Sequence, residues 1–179
     1  AHLDLLKAIA PDLPCLPTEE AIYEALGLRY IAPEIREGLD EISLAKADKL
    51  PTLITFEDLK GTLHNHSTYS DGVHKLAEMA RYSKEELGLA YLGICDHSKT
   101  AVYANGLSVE RVEQQWAEID TLNQKLAPFK IFKGIESDIL ADGSLDYEDA
   151  ILAKFDFVVA SVHSNLKMDE EKATARLIK

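Results

Sequence analysis

The sequence has 179 residues, of which 46% are apolar, so it is long enough for one soluble globular domain of ordinary size. Its formal net charge of −12 disfavours a general nucleic-acid-binding surface, although bound divalent cations would reverse the local charge at a phosphate site. We expect neither a membrane span nor a signal peptide, because no apolar run approaches ~20 residues. Two cysteines far apart in sequence, Cys15 and Cys95, favour a reduced, cytoplasmic protein, with Cys95 buried in its apolar run.

Residues 1–58 predict short helices and irregular segments rather than a whole domain. Thr18 is the predicted N-cap of a helix that Gly27 ends, and residues 39–55 are interpreted as a connector. His2 stands alone and is interpreted as a surface histidine. Short helices are predicted at residues 3–10, 18–26 and 33–38. We therefore predict a linker that joins an upstream part to the domain beginning at residue 59.

From residue 59 onwards, strand patterns alternate with helix patterns. Strands are predicted at residues 59–64, 91–95, 129–135 and 155–162. Helices are predicted at residues 75–87, 108–126, 149–154 and 169–179. Repeated β-α units of this kind indicate a parallel sheet or barrel with helices on the outside.

Each predicted strand leads into a side chain that can bind a metal ion. His64 and His66 lie two positions apart, so both project from one face of an extended strand. The carboxyl ends of parallel strands meet at one edge, where a β/α fold carries its site. Mixed imidazole and carboxylate ligands fit zinc, manganese or iron, and six such groups are enough for two or three ions. The predicted ligands are His64, His66, Asp71, His97, Glu136 and His163.

Other polar residues near these positions have ordinary structural interpretations. His74 is interpreted as a surface residue at the start of a helix. A second group, interpreted as a solvated acidic loop after the third strand, comprises Asp138, Asp142 and Asp146. A third group neighbours the predicted ligands and is a weaker candidate for substrate contact: Tyr69, Ser70, Ser98 and Lys99.

Several stretches together resemble the PHP domain (polymerase and histidinol phosphatase), in the version found at the C-terminus of bacterial family X DNA polymerases. Residues 18–58 resemble the segment that joins the polymerase thumb to that domain. The stretches that carry the resemblance are Leu63–Gly72, Gly93–Ser98, Ala104–Leu107, Gly134–Leu140, Asp142–Asp146 and Ala160–Ser164.

The resemblance implies an α/β fold, a partial distorted (β/α)7 TIM-like barrel preceded by a mostly helical linker. It also implies a trinuclear site. His64 and His66 would hold one ion, and Glu136 would bridge it to a second ion that His163 also binds. Asp71 and His97 would hold the third. No side-chain nucleophile is implied, because the attacking group would be a water associated with the metals.

The activity implied by the resemblance is metal-dependent phosphoester hydrolysis during DNA repair, as a 3′–5′ exonuclease or 3′-end processing enzyme. The DNA partner, gapped or damaged, would be bound by the intact cytoplasmic protein. Two alternatives stay open: a stand-alone phosphatase of the histidinol-phosphatase type, and a structural metal-binding module that supports a polymerase. The sequence does not distinguish a 3′ terminus, an abasic site and a 3′ phosphate as substrates.

We expect the sequence to be a fragment. It begins without Met, and it ends at Lys179 inside a predicted helix that has no stop signal. The expected division is a linker at residues 1–58 and the N-terminal part of a PHP domain at residues 59–179. Further family ligands would lie beyond Lys179, and the polymerase aspartates would lie upstream. We therefore expect this chain alone to be inactive, both as a phosphoesterase and as a polymerase.

Overall fold

The computed structural model describes all 179 residues, which form two compact units at residues 1–54 and 55–179. The first unit contains helices α1 (His2–Ile9), α2 (Glu19–Ala25) and α3 (Glu41–Lys46), with a 3₁₀ turn at Pro33–Ile35. Thr18 caps α2 as predicted, since its side-chain oxygen accepts a hydrogen bond from the Ala21 amide at 3.2 Å. The buried apolar residues of this unit are Leu6, Tyr23, Leu28, Ile31 and Ala45.

Two interpretations of this first unit are wrong. The segment at residues 39–55 contains helix α3, which is only six residues long and is stabilised by burying Ala45 rather than by a strong local signal. His2 is not a free surface histidine, because only 11% of its side chain is exposed. Its Nδ1 lies 2.7 Å from Glu41 Oε1, and its Nε2 lies 2.7 Å from the Tyr23 hydroxyl. These partners are distant in sequence, which hid them from a reading of local patterns.

The second unit is built on four parallel strands that pair in chain order, so the predicted α/β class is confirmed. The sheet curls into a half-barrel, as expected for a partial TIM-like PHP fold. Its strands are β1 (Gly61–Asn65), β2 (Tyr91–Ile94), β3 (Lys130–Asp138) and β4 (Phe157–Ser161). Its helices are α4 (Leu76–Glu85), α5 (Val109–Leu126), α6 (Asp149–Leu152) and α7 (Glu170–Leu177).

Helices α4 and α5 cover one face of the sheet and bury its main apolar core. Leu76 and Ala80 of α4 and Ile119 of α5 are buried against Leu92 and Ile131 of the sheet. Ser108 caps α5, accepting a hydrogen bond from the Arg111 amide at 3.4 Å. Cys95 is fully buried, and neither cysteine is in a disulfide.

Glycines in the middle of β2 and β3 leave room for larger side chains of the neighbouring strands. A Cβ at Gly134 would lie 2.2 Å from the Phe157 ring, and one at Gly93 would lie 2.5 Å from the Leu63 side chain. Gly134 is required by this packing, because a Cβ there would also lie 2.5 Å from the Ile94 carbonyl oxygen, whereas the end of the Leu63 side chain beside Gly93 can move. No helix in the chain is long and apolar enough to cross a membrane.

Two strands differ from their predicted bounds in ways that affect the site. Strand β3 continues to Asp138, so Glu136 lies within the strand and not after it. Strand β1 has an irregular register between Thr62 and Asn65. At this bulge His64 has a left-handed backbone with φ of +61°, an uncommon conformation for a residue other than glycine. The bulge replaces the regular alternation that the His64–His66 spacing predicts, and it places both imidazoles at the same edge.

Candidate metal centre

Glu136 stands at the centre of four imidazoles that reach the same edge of the sheet. Its Oε2 lies 3.4 Å from His64 Nε2, 3.3 Å from His66 Nε2 and 3.2 Å from His97 Nδ1. Its Oε1 lies 3.2 Å from His163 Nε2. The side chains expected to converge from the four strands therefore do so. That they bind metal stays a prediction.

Asp71 joins the same group of side chains through a tight turn. Its Oδ1 lies 3.2 Å from His66 Nδ1, and its Oδ2 lies 3.7 Å from His97 Nε2. The turn is closed by a hydrogen bond of 2.9 Å from the Gly72 amide to the Ser67 carbonyl. Gly72 is required there, because a Cβ at this position would lie 2.2 Å from the His66 carbonyl oxygen.

The six side chains form three overlapping sets whose ligand atoms lie within 4.8 Å of one another. Glu136 belongs to two of these sets, as a bridging ligand would. The sets differ in detail from the expected grouping, because His66 joins Asp71 and His97, and His97 also joins His163. The three sets are His64, His66 and Glu136; His66, Asp71 and His97; and His97, Glu136 and His163.

The donor geometry fits divalent metal ions. His66 Nδ1 and His97 Nδ1 are buried and have no hydrogen-bond partner, although each lies 3.2 Å from a carboxylate oxygen. Buried polar atoms are normally paired, so these orphaned nitrogens need another partner. Two ligands of one tetrahedral zinc ion, each bonded at ~2.0–2.1 Å, stand about 3.3–3.4 Å apart. The imidazole–carboxylate separations around Glu136 have this spacing, and a shared ion would satisfy the orphaned nitrogens.

The protonation states also suit metal binding. Burial raises the pKa of Glu136, but His64, His97 and Ser161 outweigh that effect and hold its pKa below the ordinary value. Burial lowers the pKa of His97, and the opposing attraction of Glu136 does not compensate. At neutral pH the site therefore presents an ionised carboxylate beside a neutral imidazole, which are the forms that bind metals.

Asp96 is a structural residue of the site that is not among the six predicted ligands. It is fully buried and accepts five hydrogen bonds. Ser67 and Ser70 each donate their backbone amide and hydroxyl, and Gln115 of α5 donates its side-chain amide at 2.6 Å. The aspartate therefore ties the turn that carries Asp71 to the end of β2 next to His97.

The interpretation of the acidic loop is wrong for two of its three residues. Asp138 and Asp146 are buried, while Asp142 is exposed as expected. Asp138 lies at the end of β3, and its Oδ1 is 2.6 Å from His163 Nδ1. Thr100 joins the two buried aspartates, because its hydroxyl lies 2.7 Å from Asp138 Oδ2 and 2.9 Å from Asp146 Oδ2. The signal that could have identified Asp138 is its period-two relation to Glu136 along one strand.

The weaker candidates for substrate contact are divided by burial. Ser70 and Ser98 are buried and make structural hydrogen bonds. The Ser70 hydroxyl donates to Asp96, and the Ser98 hydroxyl accepts from the Asp138 amide at 3.0 Å. Tyr69 donates its hydroxyl to Glu118 of α5 at 2.9 Å. Lys99 is exposed, and its ammonium lies over the ring of Tyr147 at 5.5 Å. His74 is exposed, as expected.

A β/α half-barrel with histidines and carboxylates at its strand ends is typical of metal-binding α/β domains. The chain belongs to the PHP domain family, whose model it matches over residues 62–177. A curated relative is "DNA polymerase/3′-5′ exonuclease PolX" of Bacillus subtilis (strain 168). The two are 43% identical over 166 residues, which make up 93% of this chain and 29% of the relative.

The family assignment carries a general function with it. PHP domains are in general metal-dependent hydrolases that bind several metal ions, so this chain is a domain of the phosphoesterase type. The chain spans less than a third of the length of the curated relative, at 29%.

Proposed function

We propose that this chain is part of the phosphodiesterase of a cytoplasmic family X DNA repair polymerase, and that it hydrolyses phosphodiester bonds at DNA 3′ ends. The observation that carries the proposal is the position of Glu136, on β3, among imidazoles from the other three strands of the sheet. The name of the B. subtilis relative, a polymerase with 3′–5′ exonuclease activity, supports DNA as the substrate. The division into a linker at residues 1–58 and a PHP part at residues 59–179 belongs to the same proposal.

The predicted ligands would hold two or three ions of zinc, manganese or iron. When bound, such ions supply positive charge to a phosphoryl group and bring the pKa of water towards neutrality. Glu136 would connect two ions, since its Oε2 faces His64 and His66 while its Oε1 faces His163. His66 would connect the first set to the set that contains Asp71, since its Nε2 faces Glu136 and its Nδ1 faces Asp71.

The chain itself also determines how a phosphoester meets these ions. His64 is the most open of the imidazoles, with 42% of its side chain exposed, and Asp71 is 49% exposed, whereas Glu136 is 7% exposed. The bridging carboxylate is therefore shielded from water, while two ligands border an open approach. No side chain in the group is placed as a nucleophile, so we assign the attack on phosphorus to water.

The decisive experiment uses the full-length natural protein that contains this chain. Metal-loaded protein is incubated with a 5′-labelled, 3′-recessed DNA duplex, and shortening of the strand is followed with and without a chelator. We expect stepwise loss of 3′ nucleotides that requires manganese, zinc or iron. Glu136→Gln should abolish this loss and lower the metal content, whereas Glu113→Gln, an exposed carboxylate on α5, should change neither.

Elemental analysis of the same samples separates the alternatives. A His64→Ala, His66→Ala double variant should lose at least one equivalent of metal. Metal-loaded protein that releases phosphate from histidinol phosphate but leaves DNA intact would support the small-molecule phosphatase. Protein that binds metal and hydrolyses neither substrate would support the structural module. A folded parent protein without any metal would reject all catalytic forms of the proposal.

A further inference from the structure

An exposed aromatic side chain stands beside the candidate metal centre and has no role in the ligand set. The Tyr103 ring centroid lies 6.0 Å from that of His97 and 6.1 Å from that of His163. The residue is nevertheless 71% exposed. Burial of a large aromatic side chain is strongly favourable in free energy, so an exposed one beside a candidate site indicates a surface that binds a partner.

The turn that carries Tyr103 is held firmly on both sides. Ala101 and Ala104 are buried on either side of the exposed pair Val102 and Tyr103. The Thr100 amide donates to Asp146 Oδ2 at 3.0 Å, which fixes the entry to the turn. The Leu107 amide donates to the His97 carbonyl at 2.8 Å, which fixes the exit next to a predicted ligand. The ring is therefore presented by an ordered backbone, which lowers the entropic cost of binding through it.

Tyr103 carries a phenol, whose hydroxyl can donate a hydrogen bond to an anionic substrate. Its ring lies beside His97 and His163 while most of the side chain faces solvent. The exposed ring thus offers a flat apolar face at the border of a site suited to phosphate.

We propose that Tyr103 is the stacking platform for the nucleobase of the 3′-terminal nucleotide whose phosphate is held at the metal centre. The inference rests on the proposed function and refines it, because it assigns the substrate class as a phosphoester that carries a base. Stacking of a base on an aromatic side chain is worth ~5- to 150-fold in affinity and tolerates any base, which suits removal of successive nucleotides. A phosphate ester without a base would gain nothing from this residue.

The test compares two 5′-labelled oligonucleotides, one ending in a normal 3′ nucleotide and one ending in a tetrahydrofuran residue that lacks a base. Full-length metal-loaded protein is assayed as wild type, Tyr103→Leu, Tyr103→Phe and Val102→Ala. Tyr103→Leu should raise KM about tenfold for the normal end and leave KM for the abasic end unchanged. Tyr103→Phe keeps the ring and should retain most of the affinity. Val102→Ala is the matched control in the same turn and should behave as wild type.

A binding measurement keeps the inference testable if neither oligonucleotide is cleaved, an outcome that would count against the proposed function alone. Calorimetry on metal-loaded protein compares deoxyadenosine 5′-monophosphate with deoxyribose 5-phosphate. Wild type should bind the nucleotide more tightly, and Tyr103→Leu should bind the two equally. Equal binding by wild type, or a loss of metal in Tyr103→Leu that weakens both ligands alike, would overturn the platform and leave Tyr103 as a cover for His97 and His163.

Discussion

Asp138 and His163 are joined by a short contact of 2.6 Å between Oδ1 of the aspartate and Nδ1 of the imidazole. An imidazole that donates its Nδ1 proton to a carboxylate presents its Nε2 lone pair, and Nε2 of His163 faces Glu136 at 3.2 Å. A buried carboxylate behind a histidine ligand orients the ring and makes it a stronger donor. Asp138 therefore has the position of a supporting residue for the set that contains His163.

The first prediction concerns this support. Asp138→Asn should weaken metal binding by about 10- to 100-fold, because the ring loses its anionic partner, and Asp138→Ala should weaken it further. The measurement is titration of metal-free protein with zinc or cobalt against a competing chelator, with circular dichroism as a check on folding. Asp142→Asn, a change at an exposed carboxylate four residues away, is the matched control and should bind metal as wild type does. Equal affinities for Asp138→Asn and Asp142→Asn would contradict the role of Asp138.

The second prediction concerns the buried carboxylate of Asp96. Asp96→Asn places an amide among groups that all donate to it, so at least one donor from Ser67, Ser70 or Gln115 loses its acceptor. We expect a loss of about 2–4 kcal/mol in the free energy of unfolding. Urea unfolding followed by the fluorescence of the single tryptophan, Trp116 on α5, measures it.

Asp120→Asn serves as the comparison for that experiment. Asp120 is 60% exposed and pairs with Lys133 at 2.7 Å, so its change should cost less than about 1 kcal/mol. Unfolding midpoints that are the same for the two variants would show that Asp96 contributes no more than a surface ion pair.

The sequence pattern was sufficient for the parallel sheet and for the place of the candidate site. Buried parallel strands appear as short apolar runs, and their carboxyl ends are where polar ligands accumulate, so His97 and His163 could be placed without a structure. The helix cap at Thr18 was also readable, because a cap depends on residues only three positions away.

The contacts of the supporting residues could not be predicted for a physical reason. Asp96 and Gln115 are 19 positions apart, and Asp138 and His163 are 25 apart, so their hydrogen bonds depend on packing and not on local pattern. Gln115 also appears in the sequence as a polar interruption of a helix face, although it is fully buried. A buried polar residue is explained only by its partner, and the partner is not visible in the sequence.

The third prediction concerns acid stability of the first unit. Burial raises the pKa of Glu41, but a hydrogen bond with His2 and the amides of Gly38 and Leu39 outweigh it and lower the pKa to about 2. A carboxyl whose pKa is lowered by folding stabilises the fold at any pH above its pKa in the unfolded chain. That stabilisation is lost as the pH falls towards the pKa in the folded state. The contribution of Glu41 to stability should therefore be nearly constant above pH 4.5 and decrease by up to about 3 kcal/mol as pH approaches 2.

The measurement for Glu41 is amide hydrogen exchange of α1, α2 and α3 between pH 5 and pH 2.5, corrected for the intrinsic exchange rate. Glu41→Gln should be less stable at pH 5 and should lose much less stability on acidification. Glu24→Gln, at an exposed position of α2, should follow the wild-type profile. A wild-type profile that stays flat over this range would rule out a stabilising role for the Glu41 charge.

The last prediction concerns the turn that presents Asp71. Gly72→Ala forces a methyl group to within 2.2 Å of the His66 carbonyl oxygen and 2.7 Å of the Ser67 carbonyl carbon, and backbone atoms cannot yield as a flexible side chain can. The turn must therefore open, which moves Asp71 away from His66 and His97 while leaving Glu136 in place on β3. We expect selective loss of the ion held by the Asp71 set, with the sets around Glu136 retained. Elemental analysis should show about one equivalent less metal than wild type. Thr68→Ala, an exposed change in the same turn, should keep the full metal content, and a full content in Gly72→Ala would mean that Asp71 does not bind a separate ion.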